Sequence, residues 1–509
     1  MAGSYFLTTA IDYVNSAPHL GHAYEKVLAD FFARHQRGLE RDVLFLTGVD
    51  EHGQKVQQSA LREGIEPQLF CDQMSARFRS LHESLGVAST KFVRTTEAHH
   101  KTIVRDWLQR LHDKGEIFFQ EHEGYYSVRQ EQFVTEKDQV DGQWPEIFGE
   151  VVAMKEPNYY FRLEPYREKL RRYLEENADV IVPAFRRNEL LGALEKPLDD
   201  LCISRPKSRL TWGIPLPFDE NYVTYVWFDA LVNYYSFAEV GGAFRWPPDL
   251  QIIGKDILVP AHGVYWLIML FALGYELPRH LLVHGFWTNS GAKISKSNVK
   301  SLVDPVPYVE KYGPDALRYF VLREMTLGQD ADFSDERFET RYQGDLGKKL
   351  GNLVQRTLSM IGRYREGRVP SYDGFHLQPI DEALRSDLVV EEYTRAVDQF
   401  APHLALQAVW ELVQRANQYV EETAPFKLAK DPAQAKRLDA VLAHLAEAVR
   451  RLSVLIQAAL PFTAEKIRVQ LQLPAGPVPL GEARFGNSLR NHTIGQPAVL
   501  FPPIEEKKQ

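Results

Sequence analysis

The sequence predicts an α/β fold, a parallel sheet wrapped by helices, with a small inserted module and a following all-α helix bundle. Three observations lead there. Up to about Gly115 short apolar strand patterns alternate with helical ones. Between Glu116 and Arg187 the alternation gives way to short aromatic segments, and from about Arg341 the pattern is one of long amphipathic helices. A chain of 509 residues is too long for one ordinary domain.

The first unit sets the theme. Tyr5-Phe6-Leu7-Thr8-Thr9-Ala10 has the pattern of a buried strand, and Ala23 to Arg37 that of a helix with Val27, Leu28, Phe31 and Phe32 at helical spacing. The turn between them holds Asn15, Ser16, Pro18 and then His19-Leu20-Gly21-His22, so the helix is expected to begin near Pro18. A helix N-terminus at the carboxyl end of a strand attracts anions, which makes this a Rossmann-like nucleotide-binding arrangement. His19 and His22 then share the first turn, where imidazole N–H groups reach phosphate oxygens, and Gly21 lets a flat ring approach the backbone. Taken alone, the two histidines suit an ordinary surface as well.

Val43-Leu44-Phe45-Leu46-Thr47 is a near-continuous apolar strand of the parallel-sheet type. It runs into Gly48-Val49-Asp50-Glu51-His52-Gly53, polar residues at the strand edge where ligands sit in open α/β sheets. The inserted module, residues 116–187, carries Phe118-Phe119-Gln120, Gly124-Tyr125-Tyr126-Ser127-Val128 and Tyr159-Tyr160-Phe161, then a charged helix from Tyr166 to Glu176. The α/β pattern resumes with Leu201 to Ser204. Thr224-Tyr225-Val226-Trp227 is read as a strand leading into a helix with Asp229, Ala230, Leu231 and Tyr234. Gln251-Ile252-Ile253 is a strand ending in Gly254-Lys255-Asp256, and His280 to Val283 one entering Gly285-Phe286-Trp287. These three strands are expected to deliver polar and aromatic residues to one edge. Gly291-Ala292-Lys293-Ile294-Ser295-Lys296-Ser297 follows, a loop whose ammonium and hydroxyl groups suit a polyphosphate, though such loops are also common as solvated surface.

In the helical part, Leu406, Val409, Trp410, Val413 and Val420 mark one apolar face and Leu438 to Leu460 another. Between Arg341 and Arg368 seven basic residues stand against two acidic ones, which suits either an RNA partner or a solvated helix. The net charge of −8 means that any nucleic-acid contact needs such a local basic face. Cys71 and Cys202 are the only cysteines, too few for a disulfide framework or a cysteine-held structural zinc, and a reducing compartment fits. The start of the chain lacks a signal-peptide pattern, and the apolar run Val264 to Tyr275 is shorter than the roughly 18 residues of a membrane span, so a core helix, no membrane contact and a cytoplasmic location are expected.

His19-Leu20-Gly21-His22 and Lys293-Ile294-Ser295-Lys296-Ser297, about 270 residues apart with an α/β sheet between them and a helical region after, resemble the two signatures of class I aminoacyl-tRNA synthetases. Within that class the chain is similar to the methionyl-tRNA synthetases. Asp50-Glu51-His52-Gly53, Tyr225-Val226-Trp227-Phe228-Asp229-Ala230, Gly254-Lys255-Asp256-Ile257 and Asp315-Ala316-Leu317-Arg318-Tyr319 occur in the expected order, from residue 5 to about 430. The resemblance implies ATP-dependent activation of L-methionine, with Mg²⁺ accompanying ATP, and transfer to tRNA(Met). It assigns His19, Gly21, His22, Gly254, Asp256, Lys293, Ser295, Lys296 and Ser297 to ATP, with Asp256 on the ribose and the catalytic charge on His19, His22, Lys293 and Lys296. It assigns Ile11, Tyr13, Asp50, Trp227, Ala230, Leu231, Tyr234, His262, Tyr265 and Trp266 to methionine, Asp50 taking the ammonium group. It assigns Asn352, Arg356, Pro425 and Phe426 to the anticodon, Phe426 standing where the family has tryptophan.

Departures accompany these matches. No cysteine remains where many relatives carry zinc knuckles, the corresponding stretches being Ser127-Val128-Arg129-Gln130 and Trp144-Pro145-Glu146-Ile147, so no structural zinc is expected. Asn298-Val299-Lys300-Ser301-Leu302 replaces the usual glycine–asparagine element, and Asp12 stands where an aromatic or proline residue is common. The domain reading is 1–115 and 188–285 for the two halves of the catalytic sheet, 116–187 for the insertion, 286–340 for the lysine-serine loop and stem-contact region, and 341–509 for the anticodon-binding helices. The alternatives are a synthetase for isoleucine, valine or leucine, a cysteine-specific one, and a tRNA-binding paralogue without catalysis. The first needs a large editing domain, for which 72 inserted residues are too few, and the second a zinc–thiolate site. Retention of both histidines, both lysines and Asp50 speaks against the third. A monomer is expected.

Overall fold

The structure is a computed structural model that describes residues 3–127, 132–134, 139, 142–289, 292–293, 303–372, 377–486 and 488–504. Its centre is a seven-stranded sheet made of β1 (Ser4–Thr9), β2 (Asp12–Tyr13), β3 (Asp42–Asp50), β4 (Lys91–Arg94), β5 (Ile181–Val182), β6 (Leu250–Gly254) and β7 (Leu281–His284). Every pairing is parallel. Leu46 is opposite both Thr8 and Lys91, and Val49 opposite both Asp12 and Arg94, so β4 flanks β3 on one side while β1 and then β2 flank it on the other. The row therefore reads β4, β3, β1, β6, β7, β5. All residues of β1 and β3 after the first are buried, as a parallel strand covered on both faces requires.

Helix α1 (Leu20–Gly38) crosses from β1 to β3, whereas the other neighbour of β1 is β6, some 240 residues later. The strand order reverses at the β1–β6 boundary, and the crevice beyond the carboxyl ends of those two strands is where such sheets bind ligands. Val27, Leu28, Phe31 and Phe32 of α1 are almost wholly buried. The helix starts later than Pro18, because the histidine before Leu20 takes up extended geometry and caps it.

Two strand expectations are corrected. Leu201–Cys202 does not rejoin the central sheet but pairs antiparallel with Val151–Phe161, in a four-stranded sheet with Ile117–Ser127 and Gln132–Val134. Of the strand expected from Thr224 to Trp227 only Thr224 lies in one, as the last residue of the strand Tyr222–Thr224. That strand pairs antiparallel with Ser204–Pro206, and α2 (Val226–Ser236) begins directly after Tyr225. An unbroken aromatic and β-branched run carries no period that separates strand from helix, which is why the boundary was misplaced. Two of the three expected strands, β6 and β7, thus reach the shared edge. The central sheet takes β5 from within the stretch read as inserted.

The helical run Lys255–Leu273 is 19 residues long and apolar enough to span a membrane by length and composition, yet most of it lies buried in the fold. A small sheet of Ala292–Lys293, Trp287–Asn289 and Ala331–Phe333 follows β7. Helix α3 (Pro314–Glu324) leads to the helical region, whose longest elements are α4 (Asn352–Arg365), α5 (Pro402–Thr423) and α6 (Ala435–Leu455). One continuous apolar core runs from α1 through α3 into α5 and α6.

That core contains a charge. Arg318 on α3 is fully buried and lies 2.7 Å from Asp30 of α1. It also donates to the carbonyls of Ala458 and Ala459 at 2.9 and 2.8 Å. Asp30 accepts in addition from Arg34 and from the Ala88 amide. Burial pushes the Asp30 carboxyl up, but Arg318 and Arg34 outweigh it and hold it below the ordinary value. Removing one partner of a buried pair strands the other, at about 3–5 kcal/mol. Asp30→Ala is therefore expected to lower stability by that amount in urea unfolding, and a loss under about 1 kcal/mol would contradict the role given to the pair.

Candidate active site

His19 is the N-cap of α1 and His22 its third residue. The His19 ring accepts the Gly21 amide at Nδ1 (3.0 Å), and the His22 ring accepts the His19 amide at Nδ1 (3.0 Å). The rings sit 3.8 Å apart. This reciprocal cap satisfies two of the orphan amides of the helix start and fixes the tautomers. With Nδ1 accepting, each neutral ring carries its proton on Nε2 and presents an N–H donor. The flat ring that Gly21 admits is the His19 ring itself, for a Cβ there would meet it at 2.9 Å.

Across the crevice, β6 ends at Gly254. A Cβ on Gly254 would stand 2.8 Å from the Asp256 carboxylate, which folds back over it, and 3.7 Å from the His284 ring. Asp256 is exposed and His284 buried. Lys293 lies opposite Thr288 in the small sheet, so its backbone leaves β7 toward the same edge. Ser295, Lys296, Ser297 and the altered segment Asn298 to Leu302 lie outside the described residues.

Asp50 ends β3, buried beside Tyr13 on β2. Gly53 follows with φ +107, and a Cβ there would meet the Tyr13 hydroxyl at 2.8 Å, so only glycine fits. Helix α2 supplies Trp227, Ala230, Leu231 and Tyr234. His262 meets Trp227 edge-on at 6.3 Å and Tyr234 at 5.7 Å. Trp227, Tyr265 and Ile11 are partly exposed, whereas Leu231 and Trp266 are sealed in the core, Trp266 donating to Gln251 at 3.1 Å.

His262 Nδ1 lies 2.9 Å from the Ile257 carbonyl, which can only accept, so Nδ1 donates and Nε2 accepts the Tyr234 hydroxyl proton at 2.7 Å. The Tyr234 hydroxyl thus has its proton committed to His262. Burial holds His262 neutral, its pKa lowered to about 4.

Two buried networks were missed in the sequence. Asp229 bridges His52 (2.6 Å) and His100 (2.8 Å), and His100 also contacts Ser236 at 2.8 Å. Burial raises the Asp229 carboxyl, but the two rings outweigh it and bring it to about 2. This link ties the strand end carrying Asp50 to the helix carrying Trp227. The second network runs Asp12, Lys26, Glu25, His284. Lys26 lies 3.1 Å from Asp12 and 2.6 Å from Glu25, and Glu25 lies 3.1 Å from His284. The one available sequence signal was an acidic or basic residue inside an apolar run, as at Asp229, and that names no partner.

The anticodon candidates lie far along the chain. Asn352 and Arg356 are exposed on α4, and Arg356 is paired at 2.8 Å with Glu421 on α5. Pro425, four residues on, is buried, while Phe426 is 43% exposed and presents a ring to solvent. Among the described residues no group of three or more His, Cys, Asp or Glu side chains is arranged to hold a metal.

A parallel sheet with a histidine-capped helix at its switch point, a polar rim on the adjoining strands and a helical appendage defines a class I aminoacyl-tRNA synthetase. The model of the class I synthetase family of the methionine type, "tRNA synthetases class I (M)", matches residues 5–150 and 145–358. Methionine–tRNA ligase of Deinococcus radiodurans is 41% identical, over 99% of this chain and 75% of that one. The Bacillus subtilis enzyme is 38% identical, over 99% and 79%. The Mycobacterium tuberculosis methionyl-tRNA synthetase solved with methionyl-adenylate superposes with a TM-score of 0.92 at 38% identity, covering 99% of this chain and all of that one. The chain belongs to the methionyl-tRNA synthetase family.

The neutral His262 has a measurable consequence. Its folded pKa of about 4 lies below the ordinary 6.5, so the unfolded chain binds a proton that the folded one refuses between those values. The contribution is present above 6.5 and is lost as pH falls toward 4. By pH 5 the loss amounts to about 2 kcal/mol. Urea unfolding at pH 7 and pH 5 of the parent and of His262→Asn is expected to show a smaller acid loss in the variant, and equal losses would refute the assignment.

Proposed function

We propose that this chain is a methionine–tRNA ligase, which activates L-methionine with ATP to methionyl-adenylate and transfers methionine to the 3′ end of tRNA(Met). The observation that carries this reading is the full-length likeness to the Mycobacterium tuberculosis enzyme solved with methionyl-adenylate, together with the histidine-capped α1 at the switch point.

In the activation step a carboxylate oxygen of methionine attacks the α-phosphorus of ATP. The new P–O bond forms as the bond to pyrophosphate breaks. The Nε2–H groups of His19 and His22 are the donors that α1 presents to phosphate oxygens as charge builds there, a contribution that grows in the transition state. Lys293 and Lys296 grip the departing pyrophosphate, with Ser295 and Ser297 beside them and Mg²⁺ accompanying ATP. Gly254 lets the Asp256 carboxylate fold close to the crevice, where it takes the ribose hydroxyls. Asp50 takes the ammonium group, while Ile11, Tyr13, Trp227, Ala230, Tyr234, His262 and Tyr265 form the apolar side-chain pocket, suited to a polarisable thioether, with Leu231 and Trp266 packed behind it in the core. In the second step a terminal ribose hydroxyl of the tRNA attacks the methionyl carbonyl and AMP leaves. Asn352, Arg356, Pro425 and Phe426 hold the anticodon, Phe426 by stacking. The enzyme acts as a monomer in the cytoplasm.

Labelled pyrophosphate exchange into ATP, run with each of the twenty amino acids, is expected to respond to methionine. A response to leucine, or none to methionine, would overturn the reading. Lys296→Ala is expected to lower the exchange kcat by about 100-fold with the methionine KM within about twofold, and equal changes in both would make the loop a binding element instead.

A further inference from the structure

We infer that Lys26 is a positioning residue for the amino-acid subsite, clamping the bend between β1 and β2 from which Ile11 and Tyr13 reach methionine. The inference rests on the methionine reading above and deepens it.

The bend is a register break. Thr8 is opposite Leu46 and Asp12 opposite Val49, four residues on one strand against three on the other, so one extra residue is inserted between β1 and β2. Such a bulge re-aims the side chains around it. Ala10 still donates its amide to Ile252 of β6, while Asp12 and Tyr13 pair with β3, so Ile11 sits where the chain changes hands. Without a further tie, nothing in the ladder fixes that residue.

Lys26 supplies the tie. It lies four residues after His22, one turn deeper on the same face of α1. Its side chain is wholly buried, and its ammonium contacts three oxygens: the Ala10 carbonyl at 2.8 Å, Asp12 at 3.1 Å and Glu25 at 2.6 Å. An ammonium has three protons, and all are spent. Two of its three partners stand on either side of Ile11. Burial alone would lower the Lys26 pKa, but the two carboxylates outweigh it and keep the ammonium charged.

Net stability does not account for this arrangement. A buried ion pair gains little over well-packed apolar residues, so its use here points to placement of the chain. The helix that carries His19 and His22 thereby also sets where Ile11 and Tyr13 stand. Through Glu25 the same ammonium reaches His284 at the end of β7.

Three variants test this by pyrophosphate exchange: Asp12→Asn, which keeps shape and removes charge, Lys26→Met, and the double Asp12→Asn/Lys26→Met. The parent is assayed first, and absence of methionine-dependent exchange there rejects the functional reading itself. With an active parent, Asp12→Asn is expected to raise the methionine KM about tenfold while the ATP KM stays within about twofold, and the double variant is expected to add little to either single one. If Lys26→Met does not fold, the Asp12→Asn comparison decides alone. An unchanged methionine KM, a parallel rise in both KM values, or a loss of thermal stability with neither KM altered would overturn the proposal.

Discussion

Everything in this molecule depends on the parallel register of β1 between β3 and β6. A parallel neighbour requires a crossover, and the crossover from β1 to β3 is α1, whose body must be buried against the sheet while its N-terminus emerges at the carboxyl edge. That constraint puts His19 and His22 at the crevice whatever else the chain does. It also brings Gly254, from a strand more than two hundred residues away, to the opposite bank of the crevice.

The two rings at the start of α1 show how local chemistry refines such a frame. Each accepts a backbone amide at Nδ1, so the helix end is capped and the proton of each neutral ring is on Nε2. The Leu20 amide donates to the Val303 carbonyl at 3.0 Å, so the His19, Leu20 and Gly21 amides at this helix end are all satisfied. Geometry and tautomer are set before any ligand binds, which removes reorganisation from the reaction.

Much of the frame was legible in the sequence because it rests on local patterns. Val43 to Thr47 reads as a buried parallel strand from its composition, and the α1 periodicity is plain. The misplaced boundary at Tyr225 to Trp227 comes from a run in which every residue suits both states. Where a motif marked a strand end, as at Asp50 or Gly254, the sequence led to the right place in the fold. The site was not legible where the partner lies far off in the chain: Asp229 meets His52 across 177 residues, and nothing at either position announces the other. Lys26 was hidden differently. It sits in an ordinary helical pattern, and only the three-dimensional break at Ala10–Asp12 shows that a charge belongs inside.

The Arg318 guanidinium bears on how the parts could ever be exchanged. It satisfies a carboxylate on α1 and two carbonyls beyond the end of α6 at once, inside an apolar core shared by both regions. A catalytic half made by cutting the chain near residue 340 would keep Arg318 and lose the carbonyls at 458 and 459, with the outer face of α1 laid open to water. The helical bundle is therefore no detachable cassette. Grafting a bundle from a relative would require carrying its seam, α1 and α3 included, along with it.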